Sequence, residues 1–352
     1  MALRIPVISS IEGLGAAVRA RLAATSAARQ QVVEIVDVAV PAQQSWALTP
    51  SQRETLKDAE FVLADAGLGA KLLLDRADFL PPDAPDLLQS VKWVQSTYAG
   101  VEPFFQQFAQ AEQNVLPNFT LTRAGGIMPN AMAQYVFGWV IALERKFLEV
   151  QTFQKKHNYA RAELKYRSFR PLTISILGLG EIGQGIGRLM RTAGFKVVGF
   201  KRRIGEEDAV KLEESADRVS SDLDDVLSVA DFVVNILPST DATRGLLNLE
   251  RLQACKDKKP VFINVGRGDV IKETELVTAL DEGLFSKAVL DVFEKEPLPT
   301  ESLLWTHPSV LLTPHVSALS LPDEVAYVFV KNLDLRLKNQ SMLYPVDWAN
   351  GY

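Results

Sequence analysis

The stretch that decides the fold is residues 172–187, LTISILGLGEIGQGIG. An apolar, strand-like run ends in Gly178-x-Gly180-x-x-Gly183, and a helical pattern begins at once. Gly178 permits the tight turn out of a strand, Gly180 lets the backbone approach phosphate oxygens, and Gly183 lets the helix pack closely on the sheet. The first helical turn would direct its N–H groups and positive dipole end at an anion. The stretch predicts a dinucleotide-binding loop; the alternative is a strand–turn–helix whose glycines serve packing alone.

Composition excludes several other classes of protein. A chain of 352 residues is long enough for two domains. Its net charge is −5, and the absence of a long basic stripe argues against a nucleic-acid partner. Cys255 is the single cysteine, which excludes an intrachain disulfide framework and a cysteine-based zinc site, and we expect no metal. No apolar run is long enough to span a membrane, and the first residues lack a signal-peptide pattern, so we expect a cytoplasmic protein.

Strand and helix patterns alternate along most of the chain, which implies parallel sheets with ligand sites at the carboxyl ends of the strands. One long amphipathic helix, predicted over 130–156, separates a first series from a second that starts at the glycine motif. The last helix, predicted over 322–338, comes too late to belong to the second series. We therefore predict a discontinuous substrate-binding domain of residues 1–123 and 319–352. A dinucleotide-binding domain of residues 124–318 would be inserted into it, with the crossovers forming the hinge of a cleft.

Three cations follow the strand after the glycine loop. In dinucleotide-binding folds this strand normally ends in Asp or Glu, which accepts a hydrogen bond from the adenosine ribose. Here the strand runs into Lys201, Arg202 and Arg203. A ribose 2′-phosphate suits such a turn, and arginine in particular, because of its planar fork of donors. The sequence favours NADP(H), with NAD(H) possible; the alternative is a solvated basic turn.

The search for a general acid or base is short because the chain has only three histidines. His157 lies in a charged segment, and His307 precedes a proline in a turn. His315 directly follows the predicted strand VLLTP, where sites of α/β proteins lie. By position alone, a structural histidine is the better interpretation.

Two more strand ends carry charged side chains. Arg267 follows one strand in the segment GRG, whose glycines would leave the guanidinium accessible to a carboxylate that it could bind bidentately. Glu296 follows another strand in the segment VFEKEP. Taken singly, the first is a loop ion-pair residue and the second a turn residue. Together with His315 they predict a catalytic site.

Four segments, in this order, resemble the D-isomer-specific 2-hydroxyacid dehydrogenase family: GLGEIGQGIG, NVGRGDVI, LDVFEKEP and TPHVSA. The spacing of Arg267, Glu296 and His315 is also that of the family. The resemblance implies an α/β protein of two doubly wound parallel-sheet domains, a Rossmann cofactor domain inserted into a flavodoxin-like substrate domain. It covers nearly the whole chain and is strongest from about residue 125 to 318.

The resemblance also implies roles for individual residues. Arg267 would bind the substrate carboxylate and polarise the carbonyl, His315 would deliver or accept the proton, and Glu296 would hold the imidazole and raise its pKa. Backbone N–H groups of the turn at Ala99, Gly100 and Val101 would also bind the substrate carboxylate. The implied cofactor-binding residues are Gly178, Gly180, Glu181, Ile182, Gly183, Lys201, Arg202, Arg203, Pro238, Thr240, Val265, Asp291 (at the nicotinamide carboxamide), His315 and Ala318.

The chain departs from the family pattern at two points. Gln134 and Tyr135 stand where the family often has Glu and His, so a charge-based role at that point is not expected. Ala318 stands where a glycine is common, on the nicotinamide side. Three further side chains, Trp46, Leu68 and Tyr98, either line the substrate pocket or serve packing.

We favour an NADPH-preferring reductase that converts a small 2-keto acid of the glyoxylate or hydroxypyruvate type to the D-2-hydroxy acid. One alternative is a nucleotide-sensing, non-catalytic binding protein like the family's corepressors. Another is an L-2-hydroxyacid dehydrogenase, against which the position of the glycine motif argues. The long helix and the aromatic segment 159–169 resemble the family's dimerisation arm, which implies a homodimer; alternatively both cover their own sheet.

Overall fold

The computed structural model describes residues 2–24, 33–39, 48–75, 80, 83–110, 116–205 and 212–348. The chain divides into two compact units. Unit 1 consists of Met1–Ile127 and Ser320–Tyr352, and unit 2 of Met128–Leu319. Within the described ranges, no helix is both long and apolar enough to cross a membrane.

The elements of the described residues are as follows, in chain order. The strands are β1 (Leu3–Ile8), β2 (Val33–Asp37), β3 (Phe61–Ala64), β4 (Trp93–Ser96), β5 (Thr120–Thr122), β6 (Thr173–Leu177), β7 (Lys196–Phe200), β8 (Arg218–Ser220), β9 (Phe232–Asn235), β10 (Val261–Asn264), β11 (Lys287–Leu290) and β12 (Val310–Leu312). The α-helices are α1 (Leu14–Ala23), α2 (Pro50–Lys57), α3 (Ala66–Leu74), α4 (Glu102–Gln110), α5 (Met128–Glu144), α6 (Phe147–Lys155), α7 (Glu181–Thr192), α8 (Leu223–Ser228), α9 (Leu249–Leu252), α10 (Glu273–Asp281) and α11 (Pro322–Leu337). Short 3₁₀ helices span Gln253–Cys255, Gly268–Val270 and Leu303–Trp305.

Unit 1 is built on a five-stranded sheet of order β2-β1-β3-β4-β5 whose strand pairs are all parallel. The strand order reverses between β1 and β3, which is the place where doubly wound sheets bind ligands. Strands β3 and β4 are buried throughout, as expected of a parallel sheet covered on both faces. Helices α1 and α11 supply apolar residues to the core on one face, where Trp93 stacks on Phe329 with ring centroids 5.4 Å apart.

The segment after α11 closes the β5 edge of this sheet. Val346 donates its N–H to Leu121 at 2.9 Å, and Arg123 donates its N–H to Tyr344 at 3.1 Å. The Tyr344 ring occupies the space that a Cβ at Gly125 would need, since the nearest ring atoms lie 2.3 Å from that position. The chain's return to unit 1 after residue 319 therefore completes both a face and an edge of the sheet.

Unit 2 is built on a seven-stranded parallel sheet of order β12-β11-β10-β9-β6-β7-β8, with the reversal between β6 and β9. The two sheets confirm the predicted fold class, two doubly wound α/β domains. All the strands of this sheet run in the same direction, so the loops that follow β6, β7, β9, β10, β11 and β12 lie along one edge. That edge carries the residues of unit 2 that the sequence predicts to be functional.

The single helix predicted over 130–156 is wrong. The chain forms two helices, α5 and α6, separated at Lys146, whose φ of 54° is left-handed. A left-handed residue ends a helix because the next N–H groups no longer face the last turn. The break also separates two environments: α5 buries Val136 and Val140, whereas α6 has no buried residue. The sequence pattern also predicts a first helix over 14–30, whose end lies outside the described residues, as does the pocket candidate Trp46.

Candidate active site

The glycine loop joins β6 to α7 at the reversal of strand order in unit 2. Gly178 has a φ of 106°, in the region that favours glycine, and its N–H is bonded to Phe200 O at 3.1 Å. A Cβ at Gly183 would lie 1.9 Å from Gly178 O, so the helix could not begin this close to the strand with any other residue. Both glycines are therefore required by the internal geometry of the loop.

Gly180 differs from these two, since a Cβ there would meet no protein atom within 4 Å. It caps the N-terminus of α7, where Glu181, Ile182 and Gly183 begin the first turn. The first N–H groups of an α-helix have no partner within the helix and favour an anion. Open space beside such a helix end fits the pyrophosphate of a dinucleotide, which requires close approach of the backbone.

The basic turn follows β7, which lies next to β6 in the sheet. Lys201 donates its N–H to Ser220 O at 3.1 Å, which fixes the start of the turn beside β8. Arg202 and Arg203 are exposed. Cationic side chains thus stand at the end of the strand next to the glycine loop, the place predicted for a 2′-phosphate.

Two buried asparagines, absent from the sequence-based predictions, hold the loop that carries Arg267. Asn235 ends β9 and donates to Asn264 Oδ1 at 2.8 Å, and Asn264 ends β10 and donates to Arg267 O at 3.2 Å. Asn235 Oδ1 accepts from Leu237 N at 3.2 Å, which ties in the loop that leads to Pro238 and Thr240. The signal that could have found them is in the sequence, where the apolar runs FVV and VFI both end in Asn.

The glycines beside Arg267 are required by the packing of the surrounding loops. A Cβ at Gly266 would lie 2.8 Å from Leu237 O, and a Cβ at Gly268 would lie 1.8 Å from the backbone of Phe293. They permit close packing of three strand-end loops. The access to the guanidinium that they were expected to provide stays a prediction. Arg267 itself is half-buried and donates from Nη1 to Gly266 O at 2.8 Å.

His315 and Glu296 form a hydrogen-bonded pair. His315 Nδ1 lies 2.8 Å from Glu296 Oε2, and Glu296 Oε1 accepts from Phe293 N at 3.0 Å. The side chains are 53% and 36% exposed, respectively. Because the carboxylate engages Nδ1, the imidazole has a fixed orientation, and Nε2 is the ring nitrogen left to exchange a proton.

The electrostatics of the pair favour a charged imidazole. The hydrogen bond to Glu296 is the largest influence on His315 and raises the pKa of the imidazole; burial opposes it, the charges of Glu296 and Asp291 add to it, and Arg267 lowers it. Burial would raise the pKa of Glu296, but hydrogen bonds from His315 and Phe293 N, together with nearby positive charge, lower it overall. The two shifts agree and describe an ion pair.

Asp291 follows β11 and is fully buried. Its Oδ1 accepts from Val316 N at 2.9 Å and from the Thr313 hydroxyl at 2.6 Å, and its Oδ2 accepts from Ser317 N at 2.9 Å. The carboxylate thus shapes the turn that carries His315. The contact with a nicotinamide carboxamide implied by the resemblance stays a prediction.

The predicted substrate turn lies in unit 1, after β4. Ala99 and Gly100 are half-buried, whereas Val101 is 3% exposed and accepts from Phe104 N at 3.0 Å. Tyr98 N bonds the Ser96 hydroxyl at 3.1 Å, and the same hydroxyl donates to Tyr98 O. These bonds fix the start of the turn.

A second buried carboxylate, Asp65, anchors the neighbourhood of this turn. It accepts from the hydroxyls of Ser9 at 2.6 Å, Ser10 at 2.7 Å and Thr97 at 2.7 Å, and from Ser10 N at 2.8 Å. Burial raises the pKa of the Tyr98 phenol and the charge of Asp65 adds to this, while a hydrogen bond with Ser10 opposes it. The hydrogen bonds to Asp65 join the ends of β1, β3 and β4 at the reversal of strand order in unit 1.

The other predicted residues take less specific places. Val265 is buried, Ala318 packs on the core of unit 2, and Leu68 packs on the core of unit 1. Thr240 donates its N–H to Thr243 Oγ1 at 2.8 Å within the loop after Pro238. Within the part of the chain that the structure describes, no cluster of three or more His, Cys, Asp or Glu side chains could hold a metal ion.

Unit 2 therefore combines a dinucleotide-type glycine loop with a His–Glu ion pair beside an arginine, which defines a nicotinamide-dependent oxidoreductase. The NAD-binding domain of D-isomer-specific 2-hydroxyacid dehydrogenases matches residues 137–317. The chain belongs to the D-isomer-specific 2-hydroxyacid dehydrogenase family and is an NAD(P)-dependent 2-hydroxyacid dehydrogenase.

Solved structures of the same family are similar over nearly the whole chain. A family member from Aeromonas salmonicida subsp. salmonicida A449 is 29% identical, with a TM-score of 0.76 over 99% of this chain and 100% of that one. An NADPH-dependent glyoxylate/hydroxypyruvate reductase from Sinorhizobium meliloti, in complex with NADP and sulfate, is 26% identical, with a TM-score of 0.74 over 99% of both chains. A member from Xanthobacter autotrophicus Py2, in complex with NADPH and MES, is 26% identical, with a TM-score of 0.75 over 100% of both chains.

Proposed function

We propose that this dehydrogenase uses NADPH to reduce a small 2-keto acid of the glyoxylate or hydroxypyruvate type to the D-2-hydroxy acid. The observation that carries the proposal is the 2.8 Å bond between His315 Nδ1 and Glu296, with Arg267 close enough to influence the pKa of both. An imidazole held in this way can give a proton to the carbonyl oxygen of a 2-keto acid, while Arg267 binds the carboxylate of the same substrate. The similarity to the Sinorhizobium meliloti reductase supports the substrate class.

The proposal assigns a role to each residue of the site. Glu296 keeps the imidazole protonated and oriented, so His315 donates its Nε2 proton to the carbonyl oxygen as the hydroxyl forms. Arg267 binds the substrate carboxylate and polarises the carbonyl. The backbone N–H groups of Ala99, Gly100 and Val101 would also bind the carboxylate. The reduced nicotinamide, when bound, supplies the hydride. In the reverse direction, neutral His315 accepts the proton of the hydroxyl.

A panel of 2-keto acids with NADPH and NADH tests the proposal directly. We expect glyoxylate or hydroxypyruvate to be reduced, with the loss of reduced-nicotinamide absorbance as the measurement. Chiral analysis of the product of a longer 2-keto acid checks that the D isomer forms. If no 2-keto acid is turned over with either cofactor while NADPH still binds, the non-catalytic binding protein becomes the better function.

The preference for NADPH is proposed from the basic turn of Lys201, Arg202 and Arg203. Arg202→Ala should weaken NADPH binding about 10-fold to 100-fold, the value of a charge-assisted hydrogen bond, because the 2′-phosphate loses a donor. NADH lacks this phosphate and should bind almost as before. Arg188→Ala, which removes an exposed arginine on α7, is the matched control. Equal losses for both cofactors in Arg202→Ala would contradict the assignment.

We also propose a homodimer formed through α6 and the aromatic segment after it. Exposed apolar side chains support this surface: Phe147, Leu148, Val150, Tyr159, Tyr166 and Phe169. Light scattering should give twice the chain mass, and Tyr159→Glu combined with Phe147→Glu should give the mass of one chain. Leu303→Glu alters another exposed apolar side chain and should leave the dimer intact. A monomeric parent protein would refute the dimer. The cytoplasmic location stays a prediction from the sequence.

A further inference from the structure

Tyr135, on α5, begins a hydrogen-bond chain that ends at the His315 turn. Its hydroxyl lies 2.5 Å from Thr313 Oγ1, and Thr313 donates to Asp291 Oδ1 at 2.6 Å. The threonine hydroxyl has one hydrogen, and the carboxylate takes it. Tyr135 must therefore be the donor to Thr313, so the order of donation runs from the phenol through the threonine to the carboxylate.

The carboxylate at the end of this chain determines the path of the backbone around the general acid. Asp291 accepts the N–H groups of Val316 and Ser317, both at 2.9 Å, and its carbonyl oxygen accepts His315 N at 2.9 Å. His315 has a φ of 53°, a left-handed conformation that a non-glycine residue keeps only when its surroundings enforce it. The turn therefore depends on the orientation of the Asp291 carboxylate.

We propose that Tyr135 is a positioning residue for the general acid: through Thr313, its hydroxyl holds the Asp291 carboxylate in the orientation that keeps His315 against Glu296. The proposal rests on the proposed function of His315. It gives Tyr135 a role that needs no charge of its own. Burial raises the pKa of the Tyr135 phenol, and the charge of Asp291 adds to this. The hydrogen bond that the phenol donates to Thr313 and the one that it accepts from Trp139 oppose the rise. The net pKa is raised, so the phenol stays a donor at neutral pH.

A change at Tyr135 can be separated from a direct electrostatic effect on the imidazole. The charged groups that face His315 are Glu296, Asp291 and Arg267. Tyr135→Phe leaves all three in place and removes only a neutral hydroxyl. A change in the pKa of His315 in this variant therefore reports on the geometry of the turn. A hydroxyl that served packing alone would change the stability of the fold and leave this pKa as it was.

The deciding experiment is an NMR titration of the histidines in the purified full chain without substrate. The chain has only three histidines, so the His315 imidazole can be assigned by substitution of the other two. In Tyr135→Phe and Thr313→Val we expect the pKa of His315 to fall toward its ordinary value of about 6.5, because the imidazole spends less time against Glu296. Thr313→Ser keeps the hydroxyl and should retain the raised pKa. An unchanged titration in Tyr135→Phe overturns the proposal.

Tyr327→Phe is the matched control, since Tyr327 is an exposed tyrosine on α11 in unit 1. The cations of Arg21 and Lys331 lie over its ring. This substitution also removes a phenol hydroxyl, but it should leave the pKa of His315 at the value in the parent protein. A fall of equal size in Tyr327→Phe would show that the titration follows a general change in the protein, which overturns the specific role of Tyr135.

Kinetics give a second measurement on the same variants. Tyr135→Phe should lower kcat about 3-fold to 10-fold, the value of one hydrogen bond, without raising the KM for NADPH. Thr313→Val should lower kcat about 10-fold to 100-fold, because it leaves two buried partners unpaired. Adding Tyr135→Phe to Thr313→Val should cost almost nothing more, since the chain is already broken. A raised KM with unchanged kcat in Tyr135→Phe would mean that the phenol acts on a ligand, and would overturn the proposal.

The two measurements separate this inference from the proposed function. If the parent protein reduces no 2-keto acid, the proposed function fails, yet the titration still decides whether Tyr135 holds His315. If the parent is active and the titration does not respond to Tyr135→Phe, the inference fails while the proposed function stands.

Discussion

Two buried carboxylates, Asp65 in unit 1 and Asp291 in unit 2, each follow a strand of a parallel sheet, but they hold their surroundings differently. Asp65 accepts three side-chain hydroxyls and one backbone N–H. Asp291 accepts one hydroxyl and two successive backbone N–H groups. The carboxylates have similar burial and a similar place in the sheet, so the difference lies in the donors.

The donors determine what each carboxylate can fix. Hydroxyl groups sit on rotatable side chains, so Asp65 joins three strand ends without imposing an unusual backbone conformation on any of them. Backbone N–H groups have no such freedom, so Asp291 imposes the path of the chain, including the left-handed His315. Substitution of Asp65 should therefore affect how the turn of Ala99 to Val101 binds a ligand. Substitution of Asp291 should affect where the His315 side chain points.

The largest effect should come from the side chain that the Asp291 turn presents. His315→Gln should lower kcat for 2-keto acid reduction roughly 10²-fold to 10⁴-fold, because the proton donor is lost. Steady-state kinetics measure the rate, and a fluorescence titration with NADPH should show nearly unchanged binding. His307→Gln alters a histidine that bonds within its own turn and is the matched control. A kcat for His315→Gln near that of the parent would show that the turn does not carry the acid.

The pH dependence tests the charge of that side chain. In the proposed mechanism, reduction requires protonated His315, whose pKa is raised chiefly by the hydrogen bond to Glu296. The kcat/KM for reduction should be constant below this raised pKa and fall as pH rises through it; oxidation of the hydroxy acid should show the opposite trend. Glu296→Gln should move the fall to lower pH, whereas Glu294→Gln, at a carboxylate bonded to Glu273 N, should not. An unmoved profile in Glu296→Gln would remove that residue from the pair.

Asp291→Asn tests the turn itself. An amide has one acceptor oxygen where the carboxylate has two, so its NH₂ group must face the N–H of Val316 or Ser317. We expect a loss of about 1–3 kcal/mol in the free energy of unfolding and a fall in kcat of about 10-fold to 100-fold. Urea denaturation and steady-state kinetics measure the two quantities. A variant that loses stability but keeps kcat would show that the turn tolerates an altered path.

Asp65→Asn should have the smallest effect on catalysis and separates the two carboxylates. The loss in stability should again be about 1–3 kcal/mol, since hydroxyl donors lose a buried acceptor. The KM for the 2-keto acid should rise about 3-fold to 10-fold with kcat almost unchanged, because the nearby turn of Ala99 to Val101 binds less well. Equal effects of Asp65→Asn and Asp291→Asn on kcat would mean that the difference in donors has no functional consequence.

Those parts of the site that depend on local sterics could be predicted from the sequence. Gly178 and Gly183 are needed because of atoms a few residues away, so a short motif contains the whole reason for them. Strand ends carry the predicted Arg267, Glu296 and His315 because apolar runs mark where the parallel strands stop. The pairing of the last two could be expected only through the family spacing.

Parts that depend on distant contacts could not be predicted. Tyr135 bonds Thr313, 178 positions away in the chain, and nothing in either local pattern indicates the other. The break at Lys146 cannot be predicted from the local pattern, because apolar residues continue at helical spacing beyond it, although none of the residues of α6 is buried. The sequence pattern predicts no strand at β5, because this strand has only three residues and is stabilised by its neighbour in the sheet and by the segment after α11.

The late position of α11 in the chain has a consequence for biosynthesis. The sheet face that carries Trp93 is completed by Phe329, which leaves the ribosome more than 200 residues after the last strand of that sheet. At about 5–20 residues per second, synthesis leaves this face uncovered for roughly 10–40 s. The whole of unit 2 is synthesised before the last segment of unit 1. The sheet of unit 1 therefore stays incomplete while unit 2 folds. Chaperones that recognise exposed aromatic residues are expected to bind the nascent chain at this face during that interval.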